Sequence, residues 1–330
     1  MNVCYSILVA CDQLANLPTV LEPPPTGPGP ARPGGRNAVL SRQSHHSLRS
    51  AAGVGCVRGS GARTGFGRFG RKGSMDQGET PASIADLGVD RRKELRAQRH
   101  AIVAADEWRL APGLSAELAP LAETWERLDP DPHFGGGRRA TRTRRYSDFD
   151  YAPDTGELAR RGHVAYLQSE EMNSFVGGTA RHFGDVEPRT CTNALFRALV
   201  RYDFDSLPIE PEYRSRNWRC QIHQIRITVH PGRTYDVVPE GVHSDGYPFA
   251  GLHLMARVDV AGGESSLLSW GEDRLLARTT LREPLDTLIF EDRRLKHHTT
   301  PISAPRESEG HRDVLAISFS LPDSPYQTLV

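Results

Sequence analysis

A histidine and an aspartate two positions apart, His243 and Asp245, stand in the stretch EGVHSDGYPF. With a second histidine they could coordinate iron(II) through two imidazoles and one carboxylate on one face of the metal, which leaves three adjacent coordination positions open. In an extended segment both side chains project to the same side, because side chains alternate along a strand, and Ser244 then points away. The triplet alone is weak, since a chain of this composition contains roughly one by chance. His311-Arg312-Asp313 is a second example.

A further histidine for such a site follows in EDRRLKHHTTPI, where His297 and His298 come after the strand-like run LDTLIF. Consecutive strand residues point in opposite directions, so only one of this pair can face a metal, and alternation alone leaves the choice open. The triplet that begins at His311 has no histidine after it. The spacing therefore favours His243 and Asp245 with one of the two later histidines.

The third element of a working site would be a cation. A co-substrate that chelates the metal and carries a further carboxylate needs a positive charge in the same cavity. Arginine suits this role best, because its planar guanidinium binds a carboxylate through two hydrogen bonds. Arg312 lies in the following strand-like stretch, GHRDVLAISF, and is our candidate for this contact.

These residues belong to the C-terminal third, where the apolar pattern alternates instead of following a helical period. The run from Trp218 to His230 places Ile222, Ile225 and Ile227 among polar residues and is closed by Pro231-Gly232. Shorter β-rich runs follow between turns: FAGLHLMARVDV, ESSLLSW, LDTLIFED and DVLAISFSL. The pattern predicts a mainly β fold with flanking helices (α+β) and a core of the sandwich or jelly-roll kind.

Upstream, three stretches predict helices: Asp90 to Trp108, Ala119 to Asp129, and Glu187 to Pro208. The basic run from Arg138 to Tyr151 could contact nucleic acid. An extended edge strand with solvated arginines is the favoured interpretation.

Residues 1–74 are rich in proline, glycine, arginine and serine, and such a segment cannot offset its ordering entropy. Within residues 1–73, nine basic residues face two acidic ones, a net charge of +7 in a chain whose total is zero. RTGFGRFGR has the composition of an RNA-binding tail, but we favour a disordered extension of the reading frame that has no function and is not part of the native product. Residues 75–330 are then one domain, with a helical part over about 85–210 and a β-rich metal-binding core over about 140–322.

The zero net charge provides no overall attraction for nucleic acid or an anionic membrane. No apolar run approaches the roughly 18 residues that span a bilayer. Cys191 and Cys220 stand apart with no CxxC spacing, which fits a reducing cytosol. The start resembles a lipoprotein cleavage box ending at Cys11 but lacks a basic n-region. We expect a cytoplasmic protein with neither nucleic-acid nor membrane partners, and its oligomeric state stays open.

Taken together, HQIRI, PEGVHSDGY, GLHLMARVDVAGGESSL, LREPLDTLIFEDRRLKHHTTPI and GHRDVLAISF resemble the 2-oxoglutarate/Fe(II) dioxygenases of the bacterial L-isoleucine hydroxylase group. The likeness extends upstream through RRYSDFDY and LQSEEMNSFVGGTARHF and covers about Glu94 to Phe319. Members pair His-x-Asp-Gly with a later His-x-x-(Ser/Thr)-Pro-(Ile/Val). The resemblance therefore implies that His297, four residues before Pro301, is a metal ligand and that His298 points away.

The resemblance also implies a double-stranded β-helix core (jelly-roll, cupin-like) that uses Fe(II), 2-oxoglutarate and dioxygen. Its reaction would hydroxylate a small free L-amino acid, aliphatic or similar, and release succinate and CO2. Arg312 would bind a carboxylate of 2-oxoglutarate. A second residue that binds 2-oxoglutarate stays unassigned, because Arg312 is followed by Asp313-Val314 and an Arg-x-Ser motif is therefore absent there. The alternatives are the same chemistry on another small metabolite of a natural-product pathway and a non-catalytic jelly-roll binding or sensing protein. The intact set of candidate residues favours an enzyme.

A free amino acid needs groups for its carboxylate and its ammonium. Arg181 in GGTARHF is a candidate for the carboxylate, and Glu171 or the surroundings of Asp245 are candidates for the ammonium. Asn173 and Gln168, in the same family-like stretch, are candidate pocket residues. A structural or surface role for Arg181 is equally compatible with its position.

Gln224 and Arg226 alternate on the strand before the metal-binding stretch and share one face. If that face is the interior, both residues would help to bind the co-substrate; otherwise they are structural. His182, His223 and His253 have no partner at metal-ligand spacing and are interpreted as core or surface histidines.

Overall fold

The computed structural model describes residue 87 and residues 90–133, 141–173 and 175–329. The predicted disordered extension, residues 1–74, lies outside the described residues. The helices are α1 Arg92–Gln98, α2 Pro112–Ala116, α3 Leu118–Ala122, α4 Pro188–Thr192, α5 Ala194–Ser206 and α6 Pro211–Arg214, with 3-10 helices at Ala105–Glu107, Glu123–Arg127 and Asp292–Arg294. The strands are β1 His100–Val103, β2 Asp129–Pro130, β3 Arg142–Ala152, β4 Glu157–Arg160, β5 Trp218–Val229, β6 Thr234–Tyr235, β7 Phe249–Val258, β8 Ala261–Gly262, β9 Glu264–Ser269, β10 Leu275–Thr280, β11 Thr287–Phe290, β12 Leu295–Thr299, β13 Ile302–Ser303 and β14 Gly310–Ser320.

The largest sheet is antiparallel and has the strand order β1-β11-β7-β14-β5-β3-β2, with β4 also paired to β3. At its centre β14 pairs with β5 from Gly310 opposite Val229 to Ser320 opposite Arg219. β5 forms over the isoleucine-rich run from Trp218, and β14 forms over the run DVLAISFSL, where the sequence predicts strands. The long pairing defines two faces, and the positions of the site residues depend on which face they occupy.

The chain passes repeatedly between this sheet and a second one with the order β10-β9-β12. After β5 it forms an isolated bridge between His243 and His297 of β12, returns to β7, and crosses to β9 and β10. It then contributes β11 to the large sheet, β12 to the second sheet and β14 to the large sheet. Alternation between two sheets in this order is a double-stranded β-helix, so the predicted mainly β, jelly-roll fold is confirmed.

Helices cover the face of the large sheet that lies away from the second sheet. The amphipathic α5 buries Leu195, Phe196 and Leu199 in the apolar cluster that contains Trp218 of β5. The side chain of Asn193 caps this helix by accepting a hydrogen bond from Phe196 N. Within the described ranges, no helix is both long enough and apolar enough to cross a membrane.

The helix predicted over Asp90 to Trp108 is wrong beyond its first turns. α1 ends at Gln98, and Arg99 has a left-handed backbone with φ 64°. His100–Val103 then form β1, which pairs with β11. The edge of β11 supplies backbone hydrogen-bond partners that local propensity does not reveal, so tertiary pairing overrides the helical pattern.

The other helical predictions hold in part. The run from Glu187 to Pro208 is divided at Asn193 into α4 and α5. The run from Ala119 to Asp129 becomes the end of α3, a 3-10 helix over Glu123–Arg127, and the start of β2. The basic run up to Tyr151 forms β3, but the edge-strand prediction is wrong, because β5 pairs on one side and β2 and β4 on the other.

Candidate active site

Two histidines and an aspartate converge between the two sheets. His243 Nε2 lies 3.6 Å from Asp245 Oδ1, and His297 Nε2 lies 3.7 Å from Asp245 Oδ2. One nitrogen from each ring and one carboxylate oxygen all lie within 4.8 Å of one another. Two imidazoles and one carboxylate are the donor set that iron(II) accepts on a single face.

A short backbone bridge, rather than a regular strand, brings these side chains together. His243 N donates to His297 O at 3.0 Å, and His297 N donates to His243 O at 2.7 Å. Directly after Asp245 the chain turns at Gly246, whose φ of 81° favours glycine. His243 and Asp245 do reach the same side, but the bridge and the turn produce this arrangement instead of strand alternation.

His243 is held by a hydrogen bond through Nδ1, and His297 approaches Asp292 at ion-pair distance through Nδ1, which leaves Nε2 of each ring for a metal. His243 Nδ1 donates to Gly241 O at 3.0 Å, and His297 Nδ1 lies 3.1 Å from Oδ1 of the buried Asp292. Ser244 Oγ donates to Asp292 at 3.1 Å and so points away from the metal-binding side. Contacts of this kind fix the orientation of metal-binding rings.

The charges around the donor atoms favour a bound cation. Burial disfavours protonated His243, but Asp245 and Glu240 overcome it and raise its pKa to about 9. Burial would raise the pKa of Asp245, yet His243, His297 and the Gln168 amide hold it well below the ordinary carboxyl range. Surroundings that stabilise an imidazolium beside an ionised carboxylate also stabilise a metal dication that replaces the proton. The residues present therefore fit iron(II).

His298, the neighbour of His297 on β12, does not line the cavity beside the donor set. Thr299 does line it, as expected if alternate residues of this strand face inward. Burial lowers the pKa of His298, and the nearby His243 and His297 rings lower it further.

The donor atoms open into a cavity between the two sheets that combines apolar walls with several basic groups. The main apolar residues are Ile225, Ile227, Val237, Val238, Leu252, Phe290 and Val314. The polar and charged residues beside the donor set are Arg142, Arg144, Tyr166, Gln168, Arg181, His223, Glu240, Thr299, Arg312 and Ser318. Such a cavity suits a small ligand that carries negative charge.

Arg312 enters this cavity from β14 and is buried. Its Nε makes no hydrogen bond within the described part of the chain, and no carboxylate there pairs with its guanidinium. Burial, followed by the charge of Arg257, lowers the pKa of Arg312 to about 10, so it stays cationic at neutral pH. A buried cation in this state is a ready binding group for an anion.

The prediction that Gln224 and Arg226 belong to the pocket is not met. On β5, His223, Ile225 and Ile227 face the cavity, and alternation sends Gln224 and Arg226 to the opposite face. Gln224 Nε2 donates to Thr124 Oγ1 at 2.8 Å. Arg226 forms a pair of hydrogen bonds to Asp313, each 2.7 Å long. Both side chains are structural groups beneath the helical layer.

Arg181 and Gln168 line the cavity as predicted, and a hydrogen-bond network joins them to the donor set. Arg181 Nη2 donates to Gln168 Oε1, and Gln168 Nε2 donates to Asp245 Oδ1 at 2.7 Å. Asn173 stands behind the cavity and donates to Gln168 Oε1 at 3.1 Å. Glu171 is exposed and does not line the cavity, so its predicted role as an ammonium-binding group is not met.

Arg144 and His223 are cavity residues that the sequence did not reveal. Arg144 was predicted to be solvated but is buried, and its Nη2 donates to His223 Nδ1 at 2.6 Å. Burial and the charge of Arg144 hold the pKa of His223 well below its ordinary value, so the neutral ring carries its proton on Nε2. One signal was present: Arg142, Arg144 and Tyr146 alternate, which places basic and aromatic side chains on one face.

Two acidic residues of the site were also missed. Glu240 lines the cavity with its Oε1 3.6 Å from His243 Nε2. Asp292 lies under the metal-binding loop, 3.1 Å from His297 Nδ1. Neither residue stands in a spacing that indicates a role, because Glu240 lies in a turn and Asp292 begins the 3-10 helix Asp292–Arg294.

Comparison with known proteins connects this geometry to a family. The model of the 2OG-Fe dioxygenase family matches residues 122–318. The chain is 28% identical over 184 residues to the L-isoleucine-4-hydroxylase of Bacillus thuringiensis, which covers 56% of this chain and 76% of that protein. The crystal structure of IDO from Bacillus thuringiensis matches with a TM-score of 0.58 and 21% identity, over 71% of this chain and 95% of that one. A BsmA homologue from Methylobium petroleophilum PM1 matches with a TM-score of 0.57 and 26% identity, over 73% of this chain and 94% of that one.

The family match spans more than half of the chain and includes His243, Asp245, His297 and Arg312. The family implies Fe(II), 2-oxoglutarate and dioxygen, and the donor set described above fits the metal. The jelly-roll core is the fold of the structural neighbours. The chain therefore belongs to the 2OG-Fe dioxygenase family and is an oxidoreductase.

Proposed function

We propose that this dioxygenase hydroxylates a small free L-amino acid, aliphatic or similar, and releases succinate and CO2. The observation that carries the proposal is one cavity that holds the metal-binding donor set together with Arg312 and Arg181. Both arginines are buried, and neither has a carboxylate partner among the described residues. One guanidinium suits the co-substrate and the other suits the carboxylate of an amino acid. A relative named L-isoleucine-4-hydroxylase supports the same substrate class.

In this proposal the metal ligands are Nε2 of His243, Nε2 of His297 and the carboxylate of Asp245. Bound iron(II) supplies the oxygen chemistry that hydroxylates an unactivated carbon. One atom of dioxygen enters the product and the other enters succinate, while 2-oxoglutarate loses CO2. The chain itself orients both organic molecules and keeps bulk water away from the reacting carbon.

Arg312 binds the carboxylate of 2-oxoglutarate that lies away from the metal. The planar guanidinium can form two parallel hydrogen bonds to a carboxylate, which positions the co-substrate as well as holding it. The apolar residues Val314, Leu252 and Phe290 line the same cavity and lower the local dielectric constant. Their presence strengthens the charge pair and excludes competing water.

Arg181 binds the carboxylate of the amino acid. Its Nη2 is already held by Gln168, while its buried Nε makes no hydrogen bond with any described residue. Ile225, Ile227, Val237 and Val238 contribute apolar surface to the cavity, which suits an aliphatic side chain. The substrate would thus be held at its charged end and packed at its apolar end.

The test incubates the full chain with Fe(II), 2-oxoglutarate and ascorbate against a panel of free L-amino acids and other small metabolites. We expect succinate release that depends on an amino acid, together with a product heavier by one oxygen atom. The His297→Ala variant is the matched control for metal-dependent turnover. Stimulation only by a metabolite that is not an amino acid would replace the substrate class, and no stimulation by any compound would favour a binding protein.

We also propose that residues 75–330 form a single catalytic domain and that residues 1–74 do not contribute to catalysis. The family match and the site residues all lie within 75–330. Removal of residues 1–74 should leave substrate-dependent succinate release unchanged. Loss of activity in a truncated protein that still unfolds cooperatively would overturn this assignment.

A further inference from the structure

A partly buried carboxylate, Glu240, lines the cavity beside the metal-binding residues. Its side chain is only 11% exposed, and its Oε1 lies 3.6 Å from His243 Nε2. Asn173 Nδ2 donates to the same oxygen at 3.3 Å. The other oxygen, Oε2, is buried and has no hydrogen-bond partner among the described residues. A buried carboxylate oxygen without a donor is costly, and in this cavity it is available to accept a hydrogen bond from a ligand.

Two guanidinium groups of the same cavity have donors that lack a hydrogen-bond acceptor among the described residues. The guanidinium carbons of Arg144 and Arg181 lie 5.2 Å and 4.6 Å from the centre of the Tyr166 ring. Each arginine uses one Nη2 for a neutral partner, His223 or Gln168, and the Nε of each is buried without a hydrogen bond in the described part of the chain. Two like charges beside one ring repel each other, and an anion between them would relieve that repulsion.

A hydrogen-bond network links Glu240 to Arg181, one of the two arginines. Arg181 and Asn173 both donate to Gln168 Oε1, and Asn173 also donates to Glu240. Gln168 in turn donates to Asp245, so the network is anchored on a metal-binding residue. Next to the donor set, the cavity thus presents a carboxylate oxygen without a donor and two guanidinium groups with a donor that has no acceptor among the described residues.

We propose that Glu240 binds the α-ammonium of the substrate and that Arg144 and Arg181 together bind its α-carboxylate. This inference rests on the proposed function and assigns its specificity. The substrate must carry a free ammonium and a free carboxylate on one carbon. A 2-hydroxy acid leaves Glu240 without its cation, and an amino amide leaves the two arginines without their anion. A site built for a charged partner rejects analogues that lack it far more strongly than it rejects a change of side-chain size.

A role for Glu240 as a fourth metal ligand is the competing explanation. The metal-binding cluster found among the described residues contains His243, Asp245 and His297 and does not include Glu240. The two roles make different predictions, because a ligand affects metal affinity whereas an ammonium-binding group affects substrate preference.

The experiment measures binding by calorimetry on the full chain loaded with Fe(II) and 2-oxoglutarate without oxygen, so that no turnover occurs. The common L-amino acids are titrated first, and the strongest binder is then compared with the 2-hydroxy acid and the amino amide of the same side chain. For the unsubstituted protein we expect each analogue to bind at least about 100-fold more weakly. This comparison needs no variant and therefore does not depend on how a substitution folds.

Glu240→Gln keeps the shape of the side chain and removes its charge. We expect amino-acid affinity to fall about 100-fold while 2-hydroxy-acid affinity stays nearly constant, so that the preference for the ammonium is lost. The matched control is Glu171→Gln, the same change at an exposed site, which should retain the full preference. Binding of Mn(II), measured by electron paramagnetic resonance, should be similar in both variants.

Each of the following results would overturn the inference. Equal loss of amino-acid and 2-hydroxy-acid binding in Glu240→Gln would indicate a structural role, and a large loss of Mn(II) binding would indicate a metal ligand. An unsubstituted protein that binds the amino acid and both analogues equally well would remove the argument for charge recognition. If amino acids turn over while the preference survives in Glu240→Gln, only this inference fails; if no amino acid binds or turns over, the proposed function fails with it.

Discussion

Arg226 and Arg312 lie on neighbouring strands of one sheet, but they differ in their hydrogen-bond partners. Arg226 donates two hydrogen bonds of 2.7 Å to the Asp313 carboxylate and another to Glu126. Arg312 faces the cavity, and its Nε has no hydrogen bond within the described residues. Burial opposes the charge of both, but the carboxylates raise the pKa of Arg226, whereas that of Arg312 falls to about 10. The fold supplies carboxylate partners for Arg226, whereas Arg312 has none among the described residues and is available to a ligand.

The histidines show the same contrast. His253 Nε2 lies 2.9 Å from Asp203 Oδ2, and its Nδ1 lies 2.8 Å from Thr287 Oγ1. By residue type this group resembles a catalytic triad, but all three side chains are buried and none lines a described pocket. The interpretation of His253 as a core histidine agrees with these contacts. Both ring nitrogens of His253 have partners within the fold, whereas Nε2 of His243 and of His297 faces the cavity, where a metal can bind.

The largest effect should come from His297, whose Nε2 is available to a metal. His297→Ala removes one of the three candidate metal donors, so we expect Fe(II) affinity to fall more than about 100-fold and substrate-dependent succinate release to disappear. Metal titration and succinate assays measure both effects. His298→Ala is the control on the same strand and should keep most of the metal affinity. The opposite outcome for the two variants would reverse the assignment of the ligand.

The next largest effect should come from removal of the Arg312 guanidinium, which has no carboxylate partner among the described residues. Arg312→Met should weaken 2-oxoglutarate binding about 100-fold, because a buried carboxylate then loses its charged partner. Titration of 2-oxoglutarate into the metal-loaded protein without oxygen provides the measurement. Arg226→Met, the same change on the other face, should leave this affinity unchanged. Similar affinities in the two variants would break the contrast between the arginines.

Arg226, which is paired with Asp313, should affect the stability of the fold instead of ligand binding. Arg226→Met leaves the buried Asp313 carboxylate unpaired, and we expect the free energy of unfolding to fall by about 3 kcal/mol in denaturant titrations. The double variant Arg226→Met/Asp313→Leu should recover most of that loss, since it removes both charges. Arg312→Met should unfold no more easily than the unsubstituted protein. If Arg226→Met were equally stable, the pair would not be the structural element that its contacts indicate.

The smallest effect should come from a residue that orients a donor without contacting the metal. Gln168→Leu removes the 2.7 Å hydrogen bond to Asp245 Oδ1, and we expect metal affinity to fall about tenfold. Metal titration against the exposed control Glu171→Gln measures the difference. A change as large as that of His297→Ala would show that Gln168 does more than hold Asp245 in place.

Local patterns were enough for the central strands and for the candidate ligands. Alternating isoleucines predicted β5, and the apolar run after Arg312 predicted β14, because both patterns depend only on neighbours in the chain. For His243 and Asp245, the presence of later histidines separated this triplet from the one at His311. Strand alternation left His297 and His298 undecided, and family resemblance favoured His297.

Pairing between distant segments decided the rest. Alternation states that His223 and Gln224 face opposite ways, but closure of the sheets and the helical layer decide that His223 meets the cavity. For the same reason Arg144 became a buried cavity residue once β3 lay beside β5. Glu240 lies in a turn and Asp292 at the start of a 3-10 helix, and the positions of both depend on the whole fold. The sequence by itself determined the type of site and most of its candidate metal ligands. Only the tertiary structure decided which charged groups lack a partner within the described residues, because that depends on which distant groups meet.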